Sequence, residues 1–168
     1  IKCNPAIKGA SDRAALVKAL NDGRIDVIAT DHAPHTASEK KQSYFKAPAG
    51  LPLVQHALQV LFDLAARGEI SRELIVDRAC HAPADLFGVR ERGYVREGWY
   101  ADLVIVDPKK PFRVDKTSLL CKCHWSPFEG HEFSSTIDTT IVNGEVVYRD
   151  GELTKNIAGE RLEFARAR

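Results

Sequence analysis

The sequence contains no methionine among its 168 residues. A chain that starts with Ile1 and has no methionine lacks a translation start, so we expect it to be a piece of a longer polypeptide. The remaining composition is ordinary, with 44% hydrophobic and 28% charged residues. A chain of this length and composition is able to bury one hydrophobic core.

Long apolar runs, net charge and cysteines are also scarce, and each of these excludes a class of protein. No apolar run approaches the roughly 18 residues of a membrane-spanning helix, and no signal peptide is visible. The net charge of +1 gives no electrostatic case for binding nucleic acid or an anionic membrane. The four cysteines have neither paired zinc-ribbon spacing nor the density of a secreted scaffold. We therefore expect free thiols and a cytoplasmic protein.

A cluster of titratable residues follows directly on a short apolar segment. Residues 25–29 predict a buried parallel strand, and Asp31 comes just after its C-terminal end. In α/β sheets and (β/α)8 barrels, ligands bind at that edge and catalytic side chains collect there. The position of Asp31 therefore favours a role in a site.

The chemistry of this cluster fits metal-assisted hydrolysis. A carboxylate beside imidazoles can hold a cation, take a proton from metal-bound water and return it to a leaving nitrogen. Pro34 separates His32 from His35, so the two histidines are expected to have different roles. The alternative is that Asp31 caps a turn and the histidines are ordinary loop residues.

The segments around this cluster predict a βαβ unit. Residues 1–5 predict the end of a strand, and a helix follows that begins after a cap at Ser11 and ends at Gly23. A right-handed crossover would bring Asn4 and Asp31 to the same rim. The alternative for Asn4 is an Asx-turn before the following proline.

A polar, lysine-rich loop at residues 36–47 follows and leads into Pro48. Loops of this kind often serve as binding loops or lids. Because glycine allows close approach of the backbone to a ligand, main-chain groups of Ala49 and Gly50 could bond a ring amide. A turn that leads into a helix is the alternative role of Gly50.

The second half of the chain changes from helical to β patterning. Helices are predicted at residues 51–67, after a cap at Ser71, and from Pro83 to Gly88. A buried strand follows near residues 103–107, and Asn143 with Gly144 predicts a hairpin turn.

The segment Cys121-Lys122-Cys123-His124 could be mistaken for a zinc site. One residue between two thiols is an unusual chelate, and no fourth ligand is evident. A buried loop anchored by Trp125 and Phe128 is the favoured interpretation.

Three blocks of sequence carry a family resemblance. They are Lys2-Cys3-Asn4-Pro5, Asp31-His32-Ala33-Pro34-His35 and Pro48-Ala49-Gly50-Leu51. In order and spacing they resemble the C-terminal part of the dihydroorotases of the amidohydrolase superfamily. One departure is Leu53, which stands where that family usually has glycine.

The resemblance implies an α/β fold that forms the C-terminal part of a metal-dependent (β/α)8 TIM barrel and a partial β-sandwich. Residues 1–88 would form the last two βα units and the helices after them, and residues 89–168 would contribute to the sandwich. Such a barrel needs about 250 residues, so the chain would hold only part of it.

The implied activity is the reversible hydrolysis of (S)-dihydroorotate to N-carbamoyl-L-aspartate in pyrimidine biosynthesis, with one or two zinc ions. Asp31 would ligate metal and act as general base and then general acid. Asn4 and His35 would bind the substrate, with backbone help from Ala49 and Gly50, and His32 would orient Asp31. The other metal ligands would come from earlier barrel strands, so we expect this chain alone to be inactive and to bind zinc poorly.

Two other functions compete with this one. The first is another cyclic amidohydrolase of the allantoinase or dihydropyrimidinase type, against which His35 counts. The second is a non-catalytic dihydroorotase-like subunit that scaffolds aspartate transcarbamoylase, against which an intact Asp31 counts. The partners considered are the small-molecule substrate, the missing N-terminal part of the enzyme, a second copy of the chain and aspartate transcarbamoylase.

Overall fold

The computed structural model describes residues 2–155 and 159–165. Every α-helix precedes Gly88 in this part of the chain, and every strand follows it. The α-helices are α1 (Ala10–Asn21), α2 (Ala37–Lys40), α3 (Ala57–Ala66), α4 (Arg72–Val76) and α5 (Ala82–Phe87). The strands are β1 (Leu103–Asp107), β2 (Phe112–Arg113), β3 (Glu132–Phe133), β4 (Thr136–Val142), β5 (Glu145–Arg149) and β6 (Glu152–Leu153).

Within the described residues, no helix is both long enough and apolar enough to cross a bilayer. The division at residue 88 into two domains stays a prediction.

Helix α1 begins two residues earlier than a cap at Ser11 would allow. The carboxylate of Asp12 accepts a hydrogen bond from the backbone N–H of Gly9 at 3.0 Å, and Gly9 is the N-cap. The helix ends as predicted, with Gly23 in the left-handed region at φ 72°. Leu20 packs in a core cluster with residues of α3, α4 and the turn between them (Leu61, Ile70 and Ile75). Leu16, on the same helix, is 60% exposed and lies outside this core.

The strands predicted at residues 2–5 and 25–29 are absent from the part of the chain that the structure describes, and Ile1 lies outside it. A parallel strand requires a neighbour, and here the backbone bonds elsewhere: the N–H of Ile28 donates to the carbonyl of Arg78 at 2.9 Å. The βαβ prediction is therefore wrong for this structure. The parallel pairing that remains near the site is a single bridge between His32 and Leu51.

The predicted helix at residues 51–67 starts later than expected. A 3-10 turn at Val54–His56 leads into α3, and Gly68 closes the helix at φ 72°. The Ser71 cap is confirmed, since its hydroxyl accepts from the N–H of Leu74 at 3.0 Å.

Helices α4 and α5 join through a π-helical turn, Asp77–His81. His81 is the last residue of that turn, and its ring stacks on Tyr94 with centroids 4.0 Å apart. Gly88 ends α5 in the left-handed region, as predicted.

The strands form an antiparallel sheet in the order β1-β4-β5-β6 and a two-stranded ribbon of β2 and β3. The Asn143-Gly144 hairpin is confirmed, with φ values of 50° and 86° that suit a type I′ turn. Helix α3 joins the strands to the helices, because Asp63 accepts from the N–H of Ser134 at 2.8 Å and Gln59 donates to the carbonyl of Ser135 at 3.1 Å. The start of α3 lies beside the residues of the candidate site.

Candidate functional site

Asp31 lies at the start of the candidate site, with its side chain exposed. Its φ of 46° is in the left-handed region, which aspartate tolerates better than most residues. The residues that follow are held in place by the loop after Gly50: the N–H of Ala33 donates to the carbonyl of Leu51 at 3.1 Å. Non-glycine residues in this region persist where their surroundings determine them, and such residues cluster at functional sites.

His32 makes contacts that differ from the expected ones. Its Nδ1 accepts hydrogen bonds from the N–H groups of Leu53 (3.0 Å) and Val54 (3.1 Å). The imidazole thus caps the 3-10 turn before α3, which requires a neutral ring with the proton on Nε2. In the described residues the hydrogen bonds of His32 go to this backbone and not to Asp31. The prediction that His32 orients Asp31 is therefore wrong for this structure.

Gly50 packs directly against the segment that follows Asp31. A Cβ atom at this position would lie 2.6 Å from the carbonyl oxygen of Ala33 and 2.8 Å from its Cβ. The φ of Gly50 is 116°, which disfavours any other residue. The structure therefore brings Gly50 beside the loop of Asp31 and His35, although its predicted contact with substrate stays a prediction.

Lys40 is the residue that the sequence analysis missed. Its ammonium group donates to the carbonyls of Lys2 at 2.8 Å, Pro48 at 2.9 Å and Gly50 at 2.9 Å. The carbonyl of Gly50 thus has a partner within the chain, and the predicted contact of Ala49 and Gly50 with a ring amide stays a prediction. The same ammonium ties the segment of Asn4, itself exposed, to this loop.

The loop at residues 36–47 contains a helix that the sequence analysis did not predict. Helix α2 begins with a capping box, in which the hydroxyl of Thr36 accepts from the N–H of Glu39 (3.3 Å) and the carboxylate of Glu39 accepts from the N–H of Thr36 (2.7 Å). The hydrogen bonds from Thr36 hold the pKa of Glu39 below its ordinary value. The Thr-Ala-Ser-Glu spacing was the signal that could have revealed this helix.

His35 is fixed from the β-rich half of the chain. Its carbonyl accepts a 2.7 Å hydrogen bond from the indole N–H of Trp125, and its Nδ1 lies 4.0 Å from the carboxylate of Glu39. Trp125 is half-buried, and the next residue, Ser126, is buried. The interpretation of this segment as an anchoring loop is confirmed for Trp125, while the substrate contact predicted for His35 stays a prediction.

A third histidine, His56, lies in the wall next to the site. His56 is 1% exposed, and its Nδ1 is 3.4 Å from the hydroxyl of Ser126. Its ring stacks on Phe133 with centroids 5.7 Å apart. Burial lowers the pKa of His56 from its ordinary value of 6.5, so the ring is neutral at pH 7. His56 lies on the helical half of the chain but is a core residue, because the β-rich half covers it.

Neither thiol of the Cys121 and Cys123 pair belongs to a larger ligand set. The two sulfur atoms are 3.4 Å apart, and both contact the carbonyl of Trp125. Within residues 2–155 and 159–165, no three His, Cys, Asp or Glu side chains are arranged to hold a metal ion. The described residues therefore do not by themselves form a complete zinc site, and the metal contact predicted for Asp31 stays a prediction.

Comparison with known proteins places this arrangement in a family context. Residues 3–147 match the amidohydrolase family. The chain is 41% identical over 161 residues to a dihydroorotase of Halobacterium salinarum, which covers 96% of the chain and 38% of that protein. A dihydroorotase of Clostridium acetobutylicum is 39% identical over 150 residues, covering 89% of the chain and 35% of that protein.

A solved structure, the L-hydantoinase (dihydropyrimidinase) of Arthrobacter aurescens, superposes with a TM-score of 0.85 at 29% identity. The alignment covers 91% of this chain and 35% of the hydantoinase. The chain thus spans well under half the length of the relatives that it matches.

Proposed function

The chain belongs to the amidohydrolase family, and we propose that it carries part of the active site of a dihydroorotase. The observation that supports this most strongly is the packing of the Asp31–His35 loop against Gly50, which leaves the Asp31 carboxylate exposed beside a main-chain binding loop. The similarity to two dihydroorotases over about nine-tenths of the chain or more agrees with it.

The proposed reaction is the opening of the cyclic amide of (S)-dihydroorotate to N-carbamoyl-L-aspartate. Water adds to the amide carbonyl, the carbon–nitrogen bond breaks, and the nitrogen leaves with a proton. Asp31 accepts the proton from the attacking water and returns it to the leaving nitrogen, so it acts as base and then as acid. Its exposed carboxylate is free to face a bound ring.

The substrate is held by groups on the loops around Asp31. We assign the imidazole of His35 and the amide of Asn4 to the polar substituents of the ring. The N–H of Gly50 and the main chain of Ala49 bond its amide. The anchor from Trp125 and the contacts of Lys40 fix the backbone that carries these groups.

Zinc is the proposed cofactor of the complete enzyme, with one or two ions in each site. A bound zinc ion would polarise the carbonyl and make the attacking water more acidic. Asp31 is the ligand supplied by this chain, and the remaining ligands would come from residues outside it.

The rest of the architecture follows from the same proposal. Residues 1–88 would complete the end of a (β/α)8 barrel, where the segments at 1–5 and 25–29 pair as strands once neighbours are present. Residues 89–168 would form part of a β-sandwich. We further propose a cytoplasmic location, a homodimer and an assembly with aspartate transcarbamoylase. The intact and native masses of the purified protein test for these partners.

The substitution Asp31→Asn tests the role of the carboxylate in the full-length enzyme. Asparagine tolerates the left-handed backbone and keeps the size of the side chain, so the charge alone is lost. Since general acid–base catalysis contributes about 10²–10⁴-fold, kcat for dihydroorotate should fall by about that factor. Asp150→Asn is the matched control, because Asp150 is also exposed and also has a left-handed φ, of 51°. Equal turnover by Asp31→Asn and the wild-type enzyme would refute the assignment.

One observation favours a second function. The L-hydantoinase, which is also named a dihydropyrimidinase, has the same fold over most of the chain. A dihydropyrimidinase would open rings that lack the carboxylate of dihydroorotate. A comparison of substrates with and without that carboxylate separates the two activities.

A further inference from the structure

The ammonium group of Lys40 connects three separate parts of the chain. All three of its hydrogen bonds go to main-chain carbonyls, those of Lys2, Pro48 and Gly50. Two of the acceptors lie 8 and 10 residues further along, and the third lies 38 residues back. Lys40 is half-buried, so the three carbonyls take the place of water around the charge.

The position of Lys40 is set by the short helix that ends with it. The capping box of Thr36 and Glu39 fixes the first turn of α2, and the helix places Lys40 at its last residue. The N-cap of the helix, Thr36, directly follows His35, so the same element follows the Asp31–His35 loop and reaches the Pro48–Gly50 loop through Lys40. Lys40 thus lies between the two loops to which the proposed substrate contacts are assigned.

The geometry of the three acceptors suits lysine in particular. An ammonium group is a compact charge with three donors, and here each donor has one carbonyl. Arginine presents a flat fork with a different arrangement of donors, and methionine has a similar length but no donor. The carbonyl of Pro48 lies in the peptide plane shared with Ala49, and the carbonyl of Gly50 lies in the plane shared with Leu51. Lys40 therefore holds the peptide planes on both sides of the Ala49–Gly50 peptide, to which the proposed contacts with the ring are assigned.

We propose that Lys40 is a positioning residue, which sets the spacing between the segment of Asn4 and the main-chain binding groups of Ala49 and Gly50. This inference rests on the proposed function, because that function assigns substrate contacts to these groups. Lys40 itself touches no reacting atom. Its loss frees three carbonyls and lets the loop move relative to Asp31.

The kinetic test compares Lys40→Ala with Lys41→Ala in the full-length enzyme. Lys41 follows Lys40 directly and its side chain is exposed, so it serves as the matched control. Because a misplacement of about 1 Å can cost roughly 10²-fold, kcat/KM for dihydroorotate should fall by about 10–100-fold in Lys40→Ala, mainly through KM. Lys41→Ala should stay within about twofold of the wild-type enzyme.

Chemical rescue separates the ammonium group from the rest of the side chain. The substitution removes three carbons and a nitrogen, which n-propylammonium supplies. Added n-propylammonium should restore part of the lost kcat/KM in Lys40→Ala and should leave Lys41→Ala unchanged. Rescue to the same extent by n-propanol, or no rescue by either compound, would show that the ammonium is not the positioning group.

A measurement that does not depend on activity distinguishes failure of this inference from failure of the proposed function. Amide hydrogen exchange at residues 2–4 and 49–51 should be faster in Lys40→Ala than in Lys41→Ala. If the wild-type enzyme fails to hydrolyse dihydroorotate, the proposed function is wrong, and faster exchange still supports the contacts of Lys40. If exchange and KM are the same in both variants, the positioning role is refuted.

Discussion

The substitution Gly50→Ala is the sharpest test of the packing between the two loops of the site. The new Cβ would lie 2.6 Å from the carbonyl oxygen of Ala33, a distance at which backbone has to move. Overpacking of this kind costs about 1–3 kcal/mol. A φ of 116° in a residue with a side chain adds strain of about 1–3 kcal/mol. The free energy of unfolding should therefore fall by about 2–6 kcal/mol, a large part of the 5–15 kcal/mol typical of a domain.

Gly68→Ala provides the matched control, since its φ is 72° and no atom lies within 4 Å of its added Cβ. This control carries only the backbone penalty, about 1–2 kcal/mol. Urea unfolding gives the free energy of unfolding of both variants, provided that their m values are the same. The difference between the two variants reports the contribution of the contact with Ala33. In the full-length enzyme kcat/KM should also fall for Gly50→Ala and stay unchanged for Gly68→Ala. Equal destabilisation by the two substitutions would refute the close approach.

Two further predictions concern residues in the wall of the site. Burial lowers the pKa of His56 from 6.5, so its ring binds a proton more weakly in the folded chain than in the unfolded chain. The folded state therefore loses stability as the pH falls below about 6.5. Titration of this group lowers the free energy of unfolding by at most about 1.4 kcal/mol per pH unit. Measured by urea unfolding between pH 7 and pH 5, the free energy should depend less on pH in His56→Phe than in the wild-type protein. The same pH dependence in both would contradict this. Trp125→Phe removes the donor to the carbonyl of His35, which should cost about 1 kcal/mol in urea unfolding and raise KM for dihydroorotate more than it lowers kcat. An unchanged KM would contradict the anchoring role of Trp125.

Local signals in the sequence were sufficient for several elements of the fold. The hairpin at Asn143 and Gly144, the cap at Ser71 and the helix end at Gly88 each depend on backbone preferences of one to three residues. Such preferences act regardless of what the rest of the chain does. These predictions were confirmed for that reason.

Contacts between distant residues were the part that the sequence could not reveal. The bonds of His32 reach 21 and 22 residues along the chain, and the indole of Trp125 reaches 90 residues back to His35. The pattern at residues 25–29 predicts burial, but a strand also needs a partner strand, which the pattern does not specify. The role of Lys40 had no local signal, because its three acceptors are main-chain atoms common to every residue.

The most direct test of the dihydroorotase assignment is the ratio of kcat/KM for (S)-dihydroorotate and dihydrouracil in the full-length enzyme. Dihydrouracil has the same ring but lacks the carboxylate, and a site built to bind a polar group rejects analogues that lack it. We expect dihydroorotate to be preferred by at least about 100-fold. Equal or better turnover of dihydrouracil would contradict the assignment and would indicate a dihydropyrimidinase.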